Sequence, residues 1–286
     1  MNFAMYYGFC EMLRDRSIPE TIAYLKENGL CSVEFIFSGK DPSRDLVGNV
    51  RTAERLREAF EKEGITVSCY SAYCDVYDKD EIPAALKRIE IAKALGSPFF
   101  HHTLIPQLHF PHNPKDFEER LPYVLDVAER IANHAEKHGL TVLYEEQGRY
   151  INGIERFGRF FGEMKNRCNN VGVCADFGNI LYAGEKPEDF IAAYINDIKH
   201  VHIKDYRFCS VEQSPTVPAN GWAAVPGGWV EHSVVGDGII DLEKCLELLK
   251  KSRYNGYYSL EMCHKEPLDY GINTATLRLN KIYNKI

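Results

Sequence analysis

Residues 130–146 read RIANHAEKHGLTVLYEE: a stretch with helical amphipathicity, then Gly139, then a short apolar run that stops at two glutamates. The same order recurs in TIAYLKENGLCSVEFIF (21–37), RLREAFEKEGITVSCY (55–70) and LKRIEIAKALGSPFFHH (86–102). Gly29, Gly64, Gly96 and Gly139 stand where a helix C-terminus favours a positive φ, and each has a lysine in the turn before it, which suits the helix dipole. Each break therefore predicts a passage from helix to strand.

Carried along the chain, this punctuation predicts strands near 3–9, 31–37, 66–71, 98–103, 140–146, 171–176, 198–204 and 256–262, with helical patterns between most of them. Eight strands alternating with helices predict a single-domain (β/α)8 TIM barrel over 1–286, since chains of roughly 250 residues close such barrels as one unit. The competing fold is an open doubly wound sheet. It normally carries a glycine-rich phosphate turn after its first strand, and none follows MNFAMYYGFC; Gly236-Asp237-Gly238 reads as a turn. One segment, 206–240, is rich in Gly and Pro, carries Trp222 and Trp229 and shows no helical period. It is expected as a long loop after strand seven, on the face where barrel active sites are built, serving as a lid or rim.

The 286 residues carry a net charge of −7 and 45% hydrophobic side chains. That balance suits a globular protein and argues against a general nucleic-acid surface. No apolar run approaches the roughly 18–20 residues that span a bilayer, and the N-terminus lacks a signal-peptide pattern, so no membrane association and a cytoplasmic location are expected. The nine cysteines are scattered, odd in number and form no CxxC pair, so they are expected as free, mostly buried thiols.

Chemistry gathers at the strand ends. Strand five ends VLYEEQG, strand six VGVCADFGN, strand seven HVHIKD and strand eight YYSLEMCH. Alternate residues of a strand face opposite sides. Val142 and Tyr144 suit the helix side, which sends Glu145 inward and leaves Glu146 as second choice. The same parity turns Cys174 and Asp176, His200, His202 and Lys204, and Ser259 and Glu261 towards the lumen. Singly, each polar residue reads equally as a cap or an ion pair. Together Glu145, Asp176, His202 and Glu261 crowd three carboxylates and an imidazole into one mouth, an arrangement that a divalent cation (Mn, Mg, Co or Zn) neutralises.

These residues resemble the xylose isomerase-like barrel superfamily, in its sugar phosphate isomerase/epimerase (ketose 3-epimerase-like) branch. The stretches that carry the resemblance are VEFIF in strand two, Asp176, VHIKD around His202, VGDGIIDL, and YNGYYSLEM ending on Glu261. It implies one divalent metal on Glu145, Asp176, His202 and Glu261. It further implies proton transfer by Glu145 and Glu261 through an enediolate of a small sugar or sugar phosphate. The chain departs from many relatives in having Asn179 where a histidine follows the strand-six aspartate, and Glu146-Gln147 where Asn-His follows the strand-five glutamate.

Substrate contacts are expected from Lys204 and Arg207, from Trp229, and from His102 at the end of strand four, where only one of His101 and His102 can face inward. Arg149 is a further candidate cation; His109 and His112 read as solvated loop residues; Glu34 reads equally as barrel floor or substrate contact. The partner is expected to be a small sugar, with no nucleic acid, and association into homo-oligomers is left open. Competing readings are an inosose dehydratase or hydroxypyruvate isomerase with the same metal shell, an endonuclease IV-like nuclease, and a non-catalytic sugar-binding barrel. The nuclease needs further His and Glu ligands on earlier strands.

Overall fold

The computed structural model describes residues 1–37, 46–105, 114–148, 150–261 and 263–286. Arg149, His109, His112 and Met262 lie outside them. Eight parallel strands close a barrel: β1 (Asn2–Met5), β2 (Ser32–Phe37), β3 (Thr66–Ala72), β4 (Phe99–His102), β5 (Thr141–Glu145), β6 (Val171–Asp176), β7 (Ile198–Ile203) and, after an excursion, β11 (Tyr257–Leu260), which pairs with both β7 and β1. The helices outside are α1 (Phe9–Asp15), α2 (Ile18–Glu27), α3 (Val50–Lys62), α4 (Glu81–Ala94), α5 (Pro114–Lys137), α6 (Ile154–Arg167), α7 (Pro187–Tyr194), α8 (Leu242–Lys251) and α9 (Leu268–Lys285). This is the predicted (β/α)8 barrel. The four cap glycines take φ of 69°, 75°, 77° and 72°.

Two expectations are corrected. The first strand stops at Met5 rather than residue 9, because Gly8 (φ 80°) turns the chain into α1 and buries Phe9 in the outer core. Residues 206–240 are more than a loop: β8 (Asp205–Ser210), β10 (Gly228–Ser233) and β9 (Ala223–Val225) form a three-stranded antiparallel sheet with β10 in the centre. Gly228 is required there, since a Cβ would stand 2.2 Å from the Cys209 carbonyl oxygen. The Asp205 carboxylate accepts from the backbone N–H groups of Tyr206, Gly236, Gly238 and Ile240, and so holds both ends of the excursion together.

The apolar interior has two layers. Between strands and helices lie large aromatics such as Phe9, Phe35 and Phe60, or Tyr144 against Phe160. Inside the barrel a small plug of Cys69, Leu143 and Cys174, with Phe99 against it, fills the space below the polar mouth. All nine cysteines are free thiols. Among the described residues no helix is long and apolar enough to cross a membrane.

Candidate metal centre and active site

Strand pairing sets the polar residues level. Glu145 lies opposite Cys174, Asp176 opposite His202, and His202 opposite Ser259. The side chains then converge on His202 Nδ1: Glu145 Oε1 is 2.8 Å from it, Glu261 Oε2 3.7 Å and Asp176 Oδ2 3.9 Å. One ligand atom from each of the four residues falls within 4.8 Å of the others. An octahedral Mg²⁺-sized ion with 2.0–2.1 Å bonds spans its opposite ligands by roughly 4.2 Å, so the set is close to the size of one divalent cation.

Asp176 and His202 are held from behind. Asp176 Oδ1 accepts from the N–H groups of Gly178 and Asn179, both at 2.7 Å, which leaves Oδ2 for the mouth. Glu146, fully buried, accepts from the Asp176 N–H and is not one of the four clustered ligand residues. Burial, with Asp176 and Glu145 close by, pushes its pKa well up. Tyr6 stacks on the His202 ring with centroids 4.7 Å apart. The other ring nitrogen, Nε2, meets Glu34 at 3.1 and 3.2 Å. Glu34 also accepts from Ser71 Oγ and Ser259 Oγ, both at 2.5 Å, and lies 2.7 Å from His200 Nε2. Burial works against its charge, but the two histidines hold its carboxyl well below the usual range. The fit to a cation follows: burial works against a charge on the His202 ring, but Cys174, Glu34 and Glu145 around it hold its pKa well raised. A divalent ion would take the place of the Nδ1 proton among the three carboxylates while Nε2 keeps its own towards Glu34.

Lys204 supplies part of that charge. Its Nζ lies 3.0 Å from both Asp176 Oδ2 and Glu261 Oε2. Burial disfavours the ammonium, yet the carboxylates around it keep its pKa well raised. Arg207 sits on the outside of β8, paired with Glu266 at 2.8 Å, and the Trp229 indole N–H donates to the Ser214 carbonyl.

His102 is a correction. It points away from the lumen, between Phe100 and Tyr144, with Nδ1 2.9 Å from the Thr103 carbonyl. His101 faces inward: its Nδ1 meets Ser71 Oγ at 3.0 Å and its Nε2 lies 3.6 Å from Glu145 Oε2. The register Ser71 opposite His101 decides the parity. Glu34 and His101 thus add lumen-facing ligand types on earlier strands that strand-end reading left undecided; alternation within SVEFIF, with Val33 and Phe35 in the outer core, was the available signal for Glu34.

Comparison with known proteins adds a lineage. The model of the family described as xylose isomerase-like TIM barrel matches residues 22–281. An inosose dehydratase of Clostridium perfringens is 25% identical over 86% of this chain and 88% of its own length. Among solved structures, the IOLI protein with a bound zinc atom superposes with a TM-score of 0.75 at 18% identity, covering 100% of this chain and 99% of that one. The D-psicose 3-epimerase of Clostridium cellulolyticum, solved with D-tagatose, gives 0.73 at 15%, covering 99% of each. At those identities the structural likeness speaks for the fold.

Proposed function

The chain belongs to the xylose isomerase-like TIM barrel family, and from that premise we propose that it is a metal-dependent isomerase or epimerase of a small ketose or ketose phosphate. The observation that carries the reading is the convergence of Glu145, Asp176, His202 and Glu261 within 4.8 Å at the ends of β5, β6, β7 and β11. These four would hold one divalent ion, whose contribution when bound is to polarise a substrate carbonyl and neighbouring hydroxyl. The zinc of the IOLI structure supports that choice of cofactor without selecting the element.

Glu145 and Glu261 stand at the two ends of the four-strand arc, so a small sugar between them meets one carboxylate on each flank. One removes the proton from the carbon beside the carbonyl, and the other returns it to the opposite face for epimerisation. If a single carboxylate carries the proton to the adjacent carbon, the outcome is aldose–ketose isomerisation. Positioned acid–base groups of this kind contribute about 10²- to 10⁴-fold. Lys204, charged and buried beside both Asp176 and Glu261, is placed to hold a substrate hydroxyl or phosphate oxygen.

A second reading, dehydration of a polyhydroxy ketone, is favoured by the inosose dehydratase relative, which aligns over most of both chains. It shares the first proton abstraction and differs in losing a hydroxyl from the next carbon. Metal-stripped and metal-reloaded enzyme in deuterated water, with ketoses, their phosphates and an inosose, tests both readings by NMR. Deuterium at the carbon next to the carbonyl, dependent on metal, is expected, and the product separates epimer, isomer and dehydrated ketone. Turnover without solvent exchange would point to hydride transfer and defeat the proton-transfer pair.

A further inference from the structure

We propose a second metal site on the outer wall of the barrel, formed by Glu90, His134 and His138 and selective for a divalent transition-metal ion. His134 lies in the last turn of α5 and His138 four residues on. The His138 N–H still bonds back to Ala135 at 3.0 Å, so the helical turn continues and both imidazoles share one face. Their ring centroids are 4.8 Å apart with planes at 47°, too inclined for a parallel stack. Helix α4 lies alongside and brings the Glu90 carboxylate to the pair, and one ligand atom from each of the three lies within 4.8 Å of the others.

The ligand chemistry points to a metal. Among the described residues the half-buried His134 ring keeps its Nε2 shielded from solvent with no hydrogen-bond partner, an uncompensated lone pair or N–H. Two imidazoles and one carboxylate suit Zn²⁺, Ni²⁺ or Cu²⁺ better than Mg²⁺ or Ca²⁺, which prefer all-oxygen shells. Three protein ligands leave positions for water, and the exposed Glu90 gives the ion an open approach. Two donors on one zinc stand roughly 3.3 Å apart, so closure needs only modest side-chain rotation. Lys137 and Lys93 are the neighbouring cations. Lys137 is adjacent to His138 in sequence, and Lys93 Nζ lies 3.8 Å from where a Cβ on Gly139 would sit. They set the charge an incoming ion must overcome. Because His138 precedes the start of β5, the site lies at the end of the barrel opposite the Glu145 mouth and acts as a clasp between α4 and α5.

Ni²⁺ added to untagged, folded protein, followed by amide NMR, tests the proposal without assuming anything about the mouth. Paramagnetic broadening is expected at 88–93 and 132–140, and His134→Ala/His138→Ala should abolish it there while far-UV circular dichroism stays native. Zn²⁺ measured by equilibrium dialysis should fall by one equivalent in that double variant, with turnover unchanged. Broadening confined to the barrel mouth, or equal zinc stoichiometry in wild type and double variant, would overturn the proposal.

Discussion

Glu34 Oε1 lies 3.1 Å from His202 Nε2, and both side chains are buried in the barrel below the mouth. A carboxylate behind an imidazole fixes which nitrogen keeps the proton and turns the other outward; removing such a partner typically costs about 10- to 100-fold in metal affinity. Glu34→Gln should therefore bind Zn²⁺ or Mn²⁺ that much more weakly in a chelator competition. Ser259→Ala, which removes one hydroxyl from the same carboxylate, should weaken binding less. Affinity unchanged in Glu34→Gln would leave Glu34 with a packing role only.

Lys204 makes a second, separable prediction. Its ammonium bridges Asp176 and Glu261 at 3.0 Å each, and removing one partner from a buried ion pair costs about 3–5 kcal/mol. Lys204→Met should lower the melting temperature clearly in chelator, and saturating divalent metal should restore most of the loss, because the cation then neutralises the same carboxylates. A drop of equal size with and without metal would show that the lysine acts only as a framework residue.

The lumen set was legible because a parallel barrel strand has strict two-residue parity and its outer face demands apolar residues. Val171, Val173 and Ala175 left Cys174 and Asp176 no other side, and Val201 with Ile203 did the same for His202 and Lys204. Parity was silent at His101-His102, where two identical neighbours end a four-residue strand. The choice belongs to the β3 register, which lies about 30 residues away. The sheet at 205–233 was illegible for a related reason. Its strands pair with each other across an intervening segment of Gly and Pro, so its regularity is in cross-strand register, such as Trp229 opposite Cys209, and not in any local period.

That sheet carries the third prediction. It starts one residue after Lys204, and it is tied to the segment following Glu261 by Arg207–Glu266 and Lys265–Glu231 ion pairs. Replacing 212–221 with a short Gly-Ser linker keeps all three strands, whereas a deletion of 211–233 would remove both β9 and β10. If the segment between β8 and β9 shields the mouth, kcat/KM should fall about tenfold or more, roughly 1.4 kcal/mol, with metal content normal. Unchanged kinetics would show that 212–221 does not cover the substrate.

His102 gives a stability prediction with a definite sign. Burial pushes its pKa down to about 4, against the opposing hydrogen bond to Thr103, while an unfolded chain holds it near 6.5. As pH falls through 6.5 the unfolded state takes up a proton that the folded state refuses until about 4. The protein therefore loses stability across that window and the loss from this residue levels off below it. The lowering corresponds to roughly 3 kcal/mol at most. Urea unfolding at several pH values should show a shallower decline in His102→Gln than in wild type, the gap widening between pH 6.5 and 4. Turnover near pH 7 should be unaffected, since the ring lies on the helix side of β4. Parallel stability curves would place the acid sensitivity on another group, and lost turnover in a well-folded variant would return His102 to the substrate.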